Sequence, residues 1–135
     1  MAKWIIPCNP AYYDVEGAFK RLNTLEWRQH KRFEVGDIVY IYVSKPVGAI
    51  MYKCRVLKVD ISGTEIDDSL FVNNNDALEY DGPCMLLGLI RRFRPDELSF
   101  DILSRNGLKG SVQGQRHTND QLDMLFERVE QGDYR

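Results

Sequence analysis

Cysteine, histidine and long apolar runs are all scarce in this chain, and each scarcity closes off a class of protein. The three cysteines, Cys8, Cys54 and Cys84, are odd in number and widely spaced. They form neither a disulfide framework nor a CxxC or Cys/His ligand pattern, so they read as structural thiols in a reducing compartment. His30 and His117 are the only imidazoles, and neither stands in HExxH or beside a cysteine at metal-ligand spacing, so no metal is expected. The longest apolar runs, 38–43 and 85–90, are one strand long, far below the ~20 residues of a membrane span. The opening residues carry one lysine and no extended apolar segment, which does not read as a secretory signal; a cytoplasmic location and no membrane partner are expected. GxSxG and GxxxxGK[ST] are missing; the three glycines within 107–114 precede Gln115-Arg116, a pair able to touch phosphate, but without the Lys-Ser/Thr pair and strand-loop-helix order of a P-loop. The reading is non-enzymatic, with no catalytic residue and no cofactor.

What is present fits one domain over 1–135. Hydrophobic residues make up 44% and charged residues 28% of the chain, an ordinary globular balance. The net charge of −2 is unevenly spread. Residues 60–81 hold seven of the 20 acidic residues and no Lys or Arg, leaving 18 basic against 13 acidic residues elsewhere. An acidic loop on a mildly basic body is compatible with a nucleic-acid partner and equally with an ordinary solvated surface.

Periodicity gives the elements. Residues 3–8 read as a strand stopped by Pro7 and Pro10, and Asp14 caps a helix whose Val15, Ala18, Phe19 and Leu22 form one apolar stripe. Residues 25–33 read as a polar connection, 35–37 as a turn, and 38–44 as a strand buried on both faces. Ile50, Tyr52, Cys54 and Val56 alternate with Met51, Lys53 and Arg55, predicting a half-solvated strand antiparallel to it. An exposed acidic insertion is expected over about 61–83, with at most a short strand around 70–72. Residues 84–93 predict another strand, Ser99 caps a helix ending at Asn106-Gly107, 110–114 is an extended piece, and Thr118 to Gln121 fits the capping box of a last helix ended by Gly132. The expected fold is α+β: a small, curved, mostly antiparallel β-barrel of about five to six strands flanked by about three helices.

Binding chemistry is better marked than catalysis. Trp4, Tyr12, Tyr13, Trp27, Tyr40, Tyr42 and Tyr52 crowd the first 52 residues. Trp27 lies in the polar stretch Glu26-Trp27-Arg28-Gln29, beside a Lys/Arg cluster and outside regular periodicity. Its indole either plugs a barrel end or forms a stacking surface for a nucleobase, and an aromatic pocket also rewards a methyl group on the base.

Read together, Trp4-Ile5-Ile6-Pro7, Tyr12-Tyr13-Asp14, Trp27-Arg28-Gln29, the run from Val35-Gly36-Asp37 to Tyr42, and 48–59 resemble the EVE domain. That family is part of the PUA-like superfamily and is related to the YTH readers of methylated adenine. The C-terminal Leu98-Ser99-Phe100, Gly107-Leu108-Lys109-Gly110, Val112-Gln113 and Thr118 extend the resemblance, which is nearest to a bacterial branch found alone or fused to nucleases. Pro7-Cys8-Asn9 stands where the commoner EVE pattern has a Lys-Ser-Glu-like triplet. The resemblance implies a PUA-like barrel that recognises a modified base in DNA or RNA, methylated cytosine in DNA foremost, with a nuclease as a possible effector partner. It implies Trp27 as the pocket tryptophan, with Tyr12, Asn9, Gln29, Tyr42 and Ser44 lining the pocket. Arg28, Lys31, Arg32, Arg91, Arg92 and Arg94 are then candidate phosphate contacts, or else solvated surface charges.

Two alternatives stand beside this reading. A small hydrolase of modified nucleosides, as in the related ASCH branch, needs a lysine, a hydroxyl and a carboxylate together; Lys53, Ser44 and Glu26 are the candidates. A protein-interaction module would use the exposed aromatics and the 60–81 segment as its interface.

Overall fold

The computed structural model describes residues 1–64, 66–72 and 80–132. The elements in chain order are β1 (Lys3–Cys8), α1 (Val15–Arg21), β2 (Thr24–Arg28), β3 (Ile38–Val43), β4 (Ala49–Ile61), a short 3₁₀ turn (Ser69–Phe71), β5 (Cys84–Arg92), α2 (Phe100–Arg105), β6 (Arg116–His117) and α3 (Asp120–Glu130). One six-stranded sheet has the order β2-β5-β4-β3-β1-β6. Only β1 and β3 run parallel, joined through α1 and β2; the other pairs are antiparallel.

Alternation along the strands builds two cores, one on each face. Trp4, Ile6 and Cys8 of β1 and Val39, Ile41 and Val43 of β3 join Phe19 of α1 and Met85 and Leu87 of β5 on one face. Ile5, Ile38, Tyr40 and Tyr42 face the other way, against Leu103 of α2 and Leu122, Leu125, Phe126 and Val129 of α3. β3 is therefore buried on both sides, as its unbroken apolar run implies.

β4 departs from the simple alternation read in its sequence. Ile41 pairs with Tyr52 but Tyr42 with Ile50, so Met51 is an extra residue in the strand. The bulge reverses the parity and sends Ile50 to the helix-covered face, away from Tyr52, Cys54 and Val56. Three further register shifts against β5 coil the long strand strongly.

The coiled sheet does not close into the expected barrel. Edge strand β2 pairs with β5, edge strand β6 pairs with β1, and among the described residues no strand ladder joins the two edges. A side chain spans the seam instead: Gln115 donates from Nε2 to the Arg28 carbonyl (2.7 Å) and accepts at Oε1 from the His30 N–H (2.8 Å).

Other local differences have equally local causes. β2 lies within the stretch read as a connection, because Thr24–Arg28 mixes polar and apolar residues at an edge. Residues 69–71 form a 3₁₀ turn, leaving Val72 with a single bridge to Tyr13 instead of a strand. The extended piece placed at 110–114 is displaced to β6. Asn119, rather than Thr118, caps α3 by accepting from the Leu122 N–H, while the Thr118 hydroxyl donates to Asp123. Of the acidic 61–83 segment, Phe71 is buried and Asp68 accepts from the Tyr13 hydroxyl at 2.8 Å; Asn73, Asn74, Asn75, Glu65, Asp76 and Glu79 lie outside the described residues.

Candidate ligand-binding site

A cavity of about 670 Å³ opens at the seam between β2 and β6. β2 supplies Glu26, Trp27 and Arg28 to its wall, the end of β1 and the turn after it supply Cys8, Asn9, Tyr12 and Tyr13, and the loop before β6 supplies Gln115. Trp27 is half-buried: it leans on the first core yet lines the cavity. Tyr13 holds it edge-on, with ring centroids 5.7 Å apart and planes at 78°. The Tyr13 ring is itself fixed by its hydroxyl bond to Asp68, and burial followed by that neighbouring carboxylate pushes its ionisation well above the ordinary tyrosine range. The hydroxyl thus stays neutral at any physiological pH. Tyr12 is exposed at the rim.

A fourth ring completes the rim. The Arg28 guanidinium lies 4.8 Å over the Tyr80 ring, whose hydroxyl donates to the carbonyls of Pro83 (2.6 Å) and Gln29 (3.3 Å). His30 meets the same ring edge-on at 5.6 Å.

The backbone of β2 adds a feature that side-chain patterns do not reveal. The Asn23 carbonyl accepts from Leu89 and the Gln29 N–H donates to Pro83, so the odd-numbered residues turn their main-chain groups toward β5. By the alternation of an antiparallel edge, even-numbered residues turn theirs toward the seam. Gln115 takes the Arg28 carbonyl and the His30 N–H there. By the same alternation the main chain of Glu26 is on the seam side of the strand.

Of the pocket residues read from the sequence, Trp27, Tyr12 and Asn9 line this cavity, and Arg28 lines it as well. Gln29 lies behind the wall. Its amide clamps the bend that ends β4, donating to the Asp60 carboxylate (3.0 Å) and accepting from the Asp60 N–H (2.9 Å), with Asp60 at φ +55°. Tyr42 is buried in the helix-covered core, edge-on to Phe100. Ser44 lies behind Cys8, donating its N–H to the Cys8 carbonyl.

The proposed phosphate contacts also divide. Lys31 and Arg32 are exposed in a groove next to the cavity. Arg91 donates to the Glu130 carbonyl, Arg92 to the Phe19 carbonyl (2.6 Å), and Arg94 pairs with Asp96; none of the three lines either concavity. Lys53 pairs with Glu130, which also accepts from the Tyr40 hydroxyl, so this lysine anchors α3 and does not reach the cavity. Glu26 lines the cavity, and its carboxylate accepts at one oxygen from the Ile66 N–H (2.6 Å), while its other oxygen is buried without a partner among the described residues.

Tyr13 and Tyr80 are site residues that the sequence reading did not single out, and Gln115 entered it only beside Arg116 as a pair able to touch phosphate. Tyr13 was legible as half of the Tyr12-Tyr13 pair, but Tyr80 and Gln115 reach the site from segments 51 and 87 residues away. Among the described residues no group of three or more His, Cys, Asp or Glu is placed to hold a metal ion, and no helix is long and apolar enough to cross a membrane.

A coiled six-stranded sheet with α1 on one face, α2 and α3 on the other and a cavity at its open seam fits a PUA-like fold. Within it the chain is similar to the ASCH protein from Zymomonas mobilis, with 11% identity and a TM-score of 0.64 over 93% of this chain and 94% of that one. A point mutant of the same ASCH protein aligns with a TM-score of 0.66 over 94% and 97%, again at 11% identity. A protein from Pseudomonas syringae is 16% identical, with a TM-score of 0.63 over 94% of this chain and 99% of its own. At these identities the likeness shows the fold alone. No protein-family model and no curated protein matches the sequence.

Proposed function

We propose that this chain binds a modified, in the first instance methylated, nucleobase lifted out of a DNA or RNA strand, with Trp27 as its stacking wall. The observation that carries this reading is the open cavity beside the indole, whose roughly 670 Å³ falls in the ~300–1,000 Å³ range of small-ligand sites. A flipped base stacks on the indole, its methyl fills apolar space near Tyr13, and its polar edge meets the Glu26 main chain. Discrimination then comes from burial, at about 0.8 kcal/mol for each methyl that fills the pocket. 5-Methylcytosine in DNA is the mark we expect, with a nuclease as the effector class.

The test titrates oligonucleotides bearing 5-methyl, N4-methyl, hydroxymethyl or N6-methyl marks, and their unmarked counterparts, against wild type and Trp27→Ala. One marked strand should bind wild type more tightly than the unmarked one. Trp27→Ala should weaken that binding by roughly ten-fold or more, since base–aromatic stacking is worth about 1–3 kcal/mol. Equal affinity for every strand, unchanged by the mutation, would refute the proposal.

A hydrolase of modified nucleosides, the second reading, is supported by the likeness to ASCH structures and by Glu26 at the cavity. It has against it that Lys53 is paired with Glu130 and that no lysine is among the described lining residues. Incubating the protein with acylated nucleosides and following product separates the two: turnover lost in Glu26→Gln would favour hydrolysis, and no turnover retires it.

A further inference from the structure

A second concavity, about 430 Å³, lies beside the first and is lined by Trp4, Lys31, Arg32, Gln115, Arg116 and His117. We propose that it is a phosphate-binding groove holding the sugar-phosphate backbone of the strand whose base enters the cavity, so that the two concavities form one surface hinged on Gln115. The proposal rests on the base-binding reading for the strand's origin and on the groove's own chemistry for its affinity.

Continuity is the first argument. Two chain segments run from one concavity into the other: Arg28 and His30 line the cavity and Lys31 and Arg32 the groove, while Gln113 and Gly114 line the cavity and Arg116 and His117 the groove. Gln115 lines both, and its amide ties the two segments together through the Arg28 carbonyl and the His30 N–H. A base in the cavity therefore has its neighbouring backbone directed over the groove.

Charge is the second. Lys31, Arg32 and Arg116 are cationic, and among the described lining residues none is acidic, although the chain as a whole carries −2. Arg116 spends one donor on the Lys109 carbonyl (2.9 Å), which fixes its guanidinium and leaves the rest of its five-donor fork available. Such a local field attracts phosphate whatever the net charge.

Rigidity is the third. The floor of the groove is a stack, with His117 lying on the Trp4 indole at 3.7 Å between centroids and 28° between planes. Trp4 is buried, contacts Phe33 at 4.2 Å and donates from Nε1 to the buried Asp37 carboxylate (2.9 Å). β6 pairs His117 with Trp4 and Arg116 with Ile5, so both groove residues are held by sheet register. A preformed aromatic shelf flanked by cations suits a sugar-phosphate strand better than a flexible acidic peptide.

The experiment measures affinity for a short single-stranded DNA, marked and unmarked, as a function of salt. The proteins are wild type, Arg116→Gln, the double variant Lys31→Gln/Arg32→Gln, and Arg105→Gln on α2 as a distant control. The Lys31/Arg32 variant changes only exposed side chains, so it stays informative should Arg116→Gln fail to fold. Each groove charge removed should flatten the plot of log affinity against log salt by roughly 0.7. The ratio of marked to unmarked affinity should stay constant and Arg105→Gln should leave the slope alone. Trp27→Ala should do the reverse, lowering the ratio and sparing the slope. An unchanged slope in both groove variants, or an equal loss in the control, overturns the groove. A flattened slope with no preference for any mark in wild type upholds the groove and defeats the base-reading proposal alone.

Discussion

Asp37 is the residue on which the rim of the first core depends. Its carboxylate accepts from the Trp4 indole N–H (2.9 Å), the Ala2 N–H (3.0 Å) and the Glu34 N–H (3.0 Å), locking the start of β1 to the turn before β3. Burial pushes its ionisation up, but those three donors and the N-terminal ammonium outweigh burial and hold it below the ordinary 3.8. A carboxyl depressed on folding contributes stability that is present above its unfolded value and lost as pH falls through the folded one. Asp37→Asn should therefore lower stability by about 1–3 kcal/mol near neutral pH, because the amide nitrogen turns a donor toward one of three donors. Urea unfolding followed by tryptophan fluorescence checks this, and the variant should also lose wild type's steepening below about pH 4. The sequence displayed Val35-Gly36-Asp37 as a turn, but it could not show the hub, since two of the three donors lie 33 and 35 residues away. Trp27 was legible for the opposite reason: a large aromatic among charges is conspicuous in one dimension.

At the scale of elements, what escaped the sequence is what the site is made of. β2 shows no clean alternation because an edge strand facing a cavity has no reason to hide every second side chain. β6, with two residues, carries too little pattern for any periodicity to detect. By contrast β3, β5 and α1 bury their apolar residues in regular registers, and their bounds were readable within a residue or two. The missing barrel closure has the same origin, since two short edges meet across a side chain where a ladder was expected. Gln115→Ala removes the bonds that hold the seam. We expect a loss of about 1–2 kcal/mol in unfolding free energy, as two main-chain groups lose their partners. Hydrogen exchange should also accelerate at the His30 amide, with α3 unaffected. Acceleration spread evenly over the sheet would mean that the amide supports the whole fold and not the seam alone.

For the whole molecule, the two-faced sheet concentrates weak acids where they must remain neutral. Cys8, Cys54, Tyr13 and Tyr52 all face the first core and Tyr40 the second. Burial, and for Cys8 also the nearby Asp14 charge, pushes the Cys8 and Cys54 thiols from 9.0 up to about 12. Tyr52 rises from 10.0 to about 12 through burial and then Glu16, and Tyr13 and Tyr40 rise further. An acid whose ionisation is raised on folding contributes stability in full below its unfolded value and loses it as pH climbs through the folded one. Stability should thus hold steady to about pH 8.5 and then decline, each deeply buried thiol adding a slope of up to about 1.4 kcal/mol per pH unit between its two values. Urea midpoints measured from about pH 7 to pH 11 test this directly. Alkylation at about pH 8 should spare Cys8 and Cys54 in the native protein and modify both in urea, because a thiol must ionise to react. A midpoint indifferent to alkali, together with rapid native alkylation at Cys8, would mean that solvent reaches the first core through the seam, and that the cavity floor beneath Trp27 opens in solution.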